Sequence, residues 1–217
     1  MVERRKVSAV HGDFVRELDG FLRLDAQNQQ RYRAGPGRPG PATLSKSQMI
    51  LMTESIFTKA FSHYELFLEE LFILYTRSKL TMSGKRVESY IVPRDGNHAR
   101  DMLKSSMPFL EWNSPDNIIR RCETYLKDGD PIKLSITTHS TRLQTMRVVR
   151  NAIAHRSTEA SIRYNNIVRA ELRASPLQQL QPGEFLLMAD PANRPSYLQF
   201  NRWDDLRSVP EVAAVYL

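Results

Sequence analysis

Residues 45 to 80 read SKSQMILMTESIFTKAFSHYELFLEELFILYTRSKL, and this stretch decides the fold. Ser45 and Gln48 have the spacing of a capping box, in which each side chain accepts a hydrogen bond from the other residue's backbone N–H at a helix start. The apolar residues that follow recur at steps of three and four, and they are Met49, Met52, Ile56, Ala60, Tyr64, Phe67, Leu71 and Leu74. This period predicts one long amphipathic helix with a broad buried face.

Shorter helical patterns lie on both sides of this segment. The predicted elements are helices at 12–30, 97–104, 114–126, 140–155 and 157–173, and a last turn or two at 203–209. Two short apolar runs, 185–188 and 197–200, are separated by a proline-rich turn, which favours a small hairpin. The predicted fold class is therefore mainly α, a helical bundle with a small irregular or β-hairpin element near the C-terminus.

Composition divides the chain into segments. The sequence at 35–40, GPGRPG, matches the glycine pattern of a phosphate-binding loop, but its prolines lack the backbone N–H groups that such a loop needs. We interpret it as part of a flexible linker. The predicted organisation is an N-terminal helix at 1–30, the Gly/Pro-rich linker at 31–44, a helical domain at 45–175 and a C-terminal extension at 176–217 that packs on the bundle.

Overall composition limits the class of protein. The 217 residues are 41% hydrophobic and 25% charged, which excludes a wholly disordered chain. No run approaches the roughly 18 apolar residues of a membrane span, and no apolar signal core follows the first residues. We therefore expect a soluble, cytoplasmic protein that does not bind membranes.

Several familiar catalytic and metal sites are missing from the sequence. The single cysteine, Cys122, can form neither an internal disulfide nor a multi-cysteine zinc site. There is no His-Glu-x-x-His pair, no Walker loop and no Gly-x-Ser-x-Gly motif. These absences exclude the common zinc protease, P-loop and α/β-hydrolase classes, and we expect neither a metal nor another cofactor.

The net charge of +7 is concentrated in one part of the chain. Residues 140–175 contain seven arginines and two glutamates, and no lysine. Because the planar guanidinium fork matches phosphate oxygens, this run indicates an anionic partner, of which nucleic acid is the commonest. The alternative is that the arginines only solvate an exposed helix face.

The predicted helix at 140–155 carries an apolar stripe and, beside it, a polar arc. The arc consists of Arg147, Arg150, Asn151 and His155. Asn151 and His155 are four residues apart and share a face, so the amide can orient the imidazole. Arg150 lies about 140° from His155 on an ideal helix, so either its long side chain reaches round or a second copy of the helix completes the site. A purely structural role is the alternative, with His155 as a cation at a helix C-terminus and Arg150 paired with Glu65.

The segment from Arg150 to His155, RNAIAH, resembles the Arg-x4-His signature of the HEPN superfamily, in the common form with asparagine directly after the arginine. The stretch at 61–71, FSHYELFLEEL, is similar to the long helix of the RiboL-PSP-HEPN group, with an aromatic residue and a glutamate ahead of an apolar run. The resemblance covers residues 45–175 and leaves out both ends of the chain.

This resemblance implies an α-helical domain that forms a homodimer, with two Arg-Asn-x3-His segments facing each other across a cleft. It also implies a metal-independent endoribonuclease, typically a toxin or an anti-phage defence effector, with an antitoxin or a nucleotidyltransferase as candidate partner. The expected catalytic residues are Arg150, Asn151 and His155. The residues expected to bind RNA are Arg142, Arg147 and Arg156, and Glu65 is expected to support the site.

These side chains fit the chemistry of RNA cleavage. RNA carries its own nucleophile, the 2′-OH, so the protein needs to supply only proton transfer and charge stabilisation. His155 would act as general acid or base, Arg150 would bind the scissile phosphate, and Asn151 would position the phosphate or the imidazole. The flanking arginines would contact phosphates without reading bases, so we expect little sequence preference. The alternatives are a non-catalytic HEPN-like RNA-binding or adaptor module, and a plain helical interaction protein with an arginine-rich surface.

Overall fold

The computed structural model describes residues 5–33, 43–104, 110–155, 157–173, 179–188 and 203–215. Within these ranges the chain is mainly α-helical and contains no β-strand, which confirms the predicted fold class. The helices are α1 (Val7–Arg33), α2 (Lys46–Thr76), α3 (Gly96–Lys104), α4 (Pro115–Tyr125), α5 (Ile132–Ala154), α6 (Thr158–Leu172), α7 (Pro182–Leu187) and α8 (Trp203–Val215). None of these helices is long and apolar enough to cross a membrane.

The long helix α2 begins where the capping box predicts. The backbone N–H of Ser45 donates to Gln48 Oε1 at 2.9 Å, and the backbone N–H of Gln48 donates to Ser45 Oγ at 3.3 Å. The helix has 31 residues and is therefore about 46 Å long. It ends four residues earlier than expected because Ser78 adopts a φ of 53°, in the left-handed region where helices commonly stop.

Helix α5 begins eight residues before its predicted start at 140. The segment from Ile132 to Ser140 is rich in hydroxyl side chains, which weakens a helical pattern in sequence. In the structure, Ser135 Oγ donates to the carbonyl oxygen of Ile132 at 2.7 Å, and Thr138 Oγ1 donates to that of Leu134 at 2.9 Å. The hydroxyl groups therefore find partners within the helix itself and do not interrupt it.

The predicted hairpin is wrong in its first half, because residues 182–187 form helix α7. Pro182 stands in the first turn of this helix, and Glu184 Oε2 accepts a hydrogen bond from the backbone N–H of Gln181 at 3.0 Å. Both features are helix-start signals, and they outweigh a short apolar run. Residues 197–200 lie outside the described residues.

The predicted linker overlaps the end of α1, which continues through residues 31–33. Residues 34–42 of the linker lie outside the described residues. The domain boundaries drawn from the sequence stay a prediction.

Backbone contacts divide the chain into two compact units. Unit 1 comprises Met1–Arg16, Ser62–Gln144 and Asp205–Leu217, and unit 2 comprises Glu17–Phe61 and Thr145–Asp204. Each unit has its own set of buried aromatic side chains.

Unit 1 is held together by aromatic pairs and by hydrogen bonds to its C-terminal helix. The ring centroids of Phe14 and Phe67 are 5.0 Å apart. The Tyr75 hydroxyl donates to the carbonyl oxygen of Ala213 at 2.7 Å, which joins α2 to α8. Buried aromatic side chains of this kind each stabilise a fold by about 2 kcal/mol. Burial also raises the pKa of the Cys122 thiol to about 12, so this cysteine is a packing residue that stays protonated at neutral pH.

In unit 2, the short helix α7 packs closely on α2. The backbone N–H of Gly183 donates to Glu54 Oε1 at 2.9 Å, and Lys46 Nζ lies 2.7 Å from Glu184 Oε1. A β-carbon at position 183 would lie 2.7 Å from the carbonyl oxygen of Ile50, closer than real contacts allow. Glycine is therefore the residue that permits this approach.

Candidate functional site

The predicted site residues Arg147, Asn151 and His155 lie in or directly after the last turns of α5. Met146 and Val149 are fully buried, as the apolar stripe predicts. Arg147 and Asn151 are partly exposed, and His155 is exposed. The backbone N–H of His155 donates to the carbonyl oxygen of Asn151 at 2.8 Å, so the helical path extends to His155 although α5 ends at Ala154. Arg147, Asn151 and His155 therefore follow one another at steps of four along one face.

Helix α6 begins directly after this turn. Ser157 has an extended backbone and caps the helix, since its Oγ accepts a hydrogen bond from the backbone N–H of Ala160 at 3.2 Å. The Ser161 hydroxyl also donates to the carbonyl oxygen of Ser157, at 3.0 Å. The predicted start of this helix is confirmed, and the short connection sets the first turn of α6 beside the last turn of α5.

A surface pocket of about 190 Å³ lies between these two helix ends, within unit 2. Its lining residues are Arg147, Val148, Asn151, His155, Ser157, Glu159, Ala160 and Arg163. Since a cavity of about 150 Å³ can hold a benzene ring, the pocket has room for a group larger than a phosphate. It brings together three of the predicted site residues.

Arg150, the first residue of the signature, is not among the lining residues. Its Nη1 donates to Asn151 Oδ1 at 3.1 Å. Because the amide oxygen of Asn151 accepts this bond, the amide nitrogen is the part of Asn151 that can donate to a ligand in the pocket. In a single chain, Arg150 therefore contacts a residue of the pocket lining without lining the pocket itself.

The pocket carries more positive than negative charge. Arg147 and Arg163 come from different helices, and the first turn of α6 adds the partial positive charge of a helix N-terminus. Glu159 is the acidic lining residue, and its Oε1 lies 2.6 Å from Arg163 Nη2. This pair is largely exposed, with 75% of the Glu159 side chain and 62% of the Arg163 side chain accessible to solvent. The arrangement suits an anion that also offers a hydrogen-bond donor.

Arg163 belongs to the arginine run predicted to meet an anionic partner, but neither it nor Glu159 is among the individually predicted site residues. A signal for them exists, because positions 147, 151, 155, 159 and 163 are all polar and recur at every fourth residue. The predicted helices at 140–155 and 157–173 are separate, so the helical period alone does not place positions 159 and 163 beside positions 147 to 155. Glu159 and Arg163 line the pocket because a new helix, α6, begins after the cap at Ser157.

The remaining predicted site residues lie elsewhere. Arg142 belongs to unit 1, where its Nη1 donates to Asp205 Oδ1 at 3.0 Å. Glu65 is a partly buried residue of α2, also in unit 1. Neither lines the pocket, and Arg156 lies outside the described residues. Their roles in RNA binding and support stay predictions.

Among the described residues, no group of three or more His, Cys, Asp or Glu side chains is placed to hold a metal ion. No protein-family model matches the chain, and neither does a curated protein or a solved structure.

Proposed function

We propose that the protein is a metal-independent endoribonuclease and that the pocket between α5 and α6 holds the phosphate at which RNA is cut. One observation carries the proposal: Arg147, Asn151 and His155 line a single pocket, and Arg163 joins them from the next helix. Donors for phosphate oxygens and a group that transfers protons are thereby present at one place.

The reaction uses the nucleophile that RNA carries. The 2′ oxygen forms a bond to the adjacent phosphorus as the bond from phosphorus to the 5′ oxygen breaks, which leaves a 2′,3′-cyclic phosphate and a free 5′-hydroxyl. The imidazole of His155 takes the proton of the 2′-OH, and the departing 5′ oxygen gains one from a proton donor. Imidazole suits this role because it exchanges protons near neutral pH, and the exposure of His155 lets RNA reach it.

The charge that develops on the phosphate is met by fixed donors. Arg147 and Arg163 donate to the non-bridging oxygens, and these charge-assisted hydrogen bonds strengthen as negative charge grows. The amide nitrogen of Asn151 donates to the phosphate or to the imidazole, and Arg150 holds that amide in place through its 3.1 Å bond.

A second copy of the chain is part of the proposal. Facing copies would add a second Arg150 and a second His155 imidazole to one cleft. The second Arg150 would make the direct phosphate contact expected of the arginine, and the second imidazole would donate the proton to the departing 5′ oxygen. Light scattering tests this part, since a strict monomer with full activity would contradict it.

The test is cleavage of end-labelled single-stranded RNA in the presence of EDTA, with the products analysed for a 2′,3′-cyclic phosphate. We expect His155→Ala to lower the rate about 100- to 10,000-fold, the range for loss of a general acid or base. His139→Ala is the matched control, because it makes the same change on α5 outside the pocket. Cleavage by His155→Ala at the wild-type rate would contradict the proposal.

One observation favours a second candidate, a non-catalytic RNA-binding module. Arg150 bonds Asn151 and does not line the pocket of a single chain. The same assay distinguishes the two functions, because a binding module would show salt-dependent affinity for RNA and no product.

A further inference from the structure

The pocket contains an acidic side chain although the ligand proposed for it is an anion. Glu159 lies in the first turn of α6, and its bond to Arg163 at 2.6 Å holds the carboxylate beside that guanidinium. A carboxylate next to a phosphate is repulsive, so its presence lowers the affinity of the pocket for phosphate alone. A ligand that also offers N–H donors would turn the same carboxylate into a favourable contact.

The size and walls of the pocket also suit more than a phosphate. Its volume is about 190 Å³, and it has an apolar side chain from each helix, Val148 and Ala160. A phosphate uses hydrogen-bond donors and makes no use of an apolar wall. A nucleobase has apolar faces and a polar edge, and single-stranded RNA can turn such a base out of its stack.

We propose that the pocket takes one unstacked nucleotide of the RNA and that Glu159 selects guanine by accepting hydrogen bonds from its edge. This inference rests on the proposed function for the position of the phosphate. Phosphate contacts alone predict no base preference, whereas a contact between Glu159 and the base predicts a preference for guanine.

Guanine fits because its N1–H and its N2 amino group are adjacent donors, spaced to meet the two oxygens of one carboxylate. Adenine and cytosine each place a ring acceptor next to their amino group, and uracil places carbonyl oxygens on both sides of its N–H, so each of them sets an acceptor against the carboxylate. The existing bond to Arg163 does not prevent this contact, because a carboxylate has about four acceptor positions. Arg163 holds the carboxylate in place through this bond.

The test measures binding of the four nucleoside 3′-monophosphates to the full chain by calorimetry. These probes cannot be cleaved by attack of the 2′-OH with loss of a 5′ oxygen, so the readout does not depend on catalysis. A good bidentate contact discriminates between bases by about 5- to 150-fold. Since Glu159 is largely exposed, we expect guanosine 3′-monophosphate to bind about 5- to 10-fold more tightly than the other three.

Two variants and a control separate base selection from simple charge. Glu159→Gln should remove the preference, because an amide sets its own N–H₂ against one of the guanine donors. Glu159→Asp keeps the charge but shortens the side chain, and it should weaken the preference. Glu171→Gln makes the same charge change on the same helix outside the pocket and should leave the preference intact. Melting curves of all three variants verify that they are folded.

Three results would overturn the inference: equal binding of the four nucleotides, no binding of any of them, or a guanine preference that survives Glu159→Gln. Selective binding of guanosine 3′-monophosphate by a chain that does not cleave RNA would refute the ribonuclease and support the base site. Cleavage of RNA with equal binding of the four nucleotides would refute the base site alone.

Discussion

The buried carboxyl group of Asp25 makes the stability of the protein depend on pH in a predictable way. It lies on α1 in unit 2 and is 1% exposed. Burial raises its pKa from the usual 3.8 to about 6, although Gln29 Nε2 donates to its Oδ2 at 3.0 Å and offsets part of the effect. The folded protein therefore holds a proton on Asp25 at pH values where the unfolded chain has released it.

The sign of the effect on stability follows from this difference. Below pH 3.8 the carboxyl is protonated in both states, and its contribution to stability is fully present. As the pH rises through about 6 that contribution is lost, because the folded protein must then ionise a buried group. A difference of about two pKa units corresponds to about 3 kcal/mol.

Asp25→Asn removes the ionisation and keeps the shape of the side chain. We expect the stability of the variant relative to the wild type to rise by about 3 kcal/mol from pH 4 to pH 8, so that the variant is more stable by about 1 to 3 kcal/mol at pH 8 and between equal and about 2 kcal/mol less stable at pH 4. The lower figure allows for the added amide group, which needs a hydrogen-bond partner of its own inside the fold.

Urea denaturation followed by circular dichroism, repeated at each pH unit from about 4 to 8, measures the difference between the two proteins. Taking the difference cancels the titration of all other groups. Asp101→Asn, at an exposed position on α3, is the control and should give a difference near zero throughout. A variant that is less stable than the wild type at pH 8, or a difference that does not change with pH, would refute the reasoning.

Two further predictions concern packing and charge. Gly183→Ala should destabilise the protein by about 1 to 3 kcal/mol in urea denaturation, because its β-carbon would meet the carbonyl oxygen of Ile50 at 2.7 Å. Gly12→Ala, with open space around its β-carbon on α1, should be neutral or slightly stabilising, and equal stability of the two variants would show that α7 does not pack as described. Arg142→Ala should lower the melting temperature, because Asp205 is 2% exposed and loses a cation at 3.0 Å, and Arg169→Ala, at an exposed arginine of α6, should leave it unchanged. An unchanged melting temperature in Arg142→Ala would contradict this structural role of the arginine.

The sequence predicts a helix start correctly where a capping residue marks it within the first turn. The reciprocal bonds of Ser45 and Gln48, and the cap at Ser157, depend only on residues within the first turn. The predicted start of α5 is too late because hydroxyl side chains are ambiguous in sequence. In the structure, Ser135 and Thr138 bond to carbonyl groups one turn earlier and stay within the helix. At 182–187, the short apolar run favours a strand, whereas Pro182 and Glu184 are the local signals that open helix α7.

The candidate site also contains residues that the helical period predicts and residues that it does not. Arg147, Asn151 and His155 share a face because of the helical period, so their meeting in one pocket was predictable. The contributions of Glu159 and Arg163 depend on the direction that the chain takes after Ser157, which no periodicity within one helix reveals. The Arg142 contact with Asp205 joins residues 63 positions apart and has no local signal.

All side chains that line the pocket fall between Arg147 and Arg163, in one uninterrupted stretch of chain. Sites assembled from distant segments exist only after long loops have closed, which is slow and entropically costly. This one needs only two consecutive helices and the turn between them. The identity of the lining groups is therefore encoded in a single short block of sequence, and substitutions elsewhere leave those groups unchanged as long as the two helices keep their support.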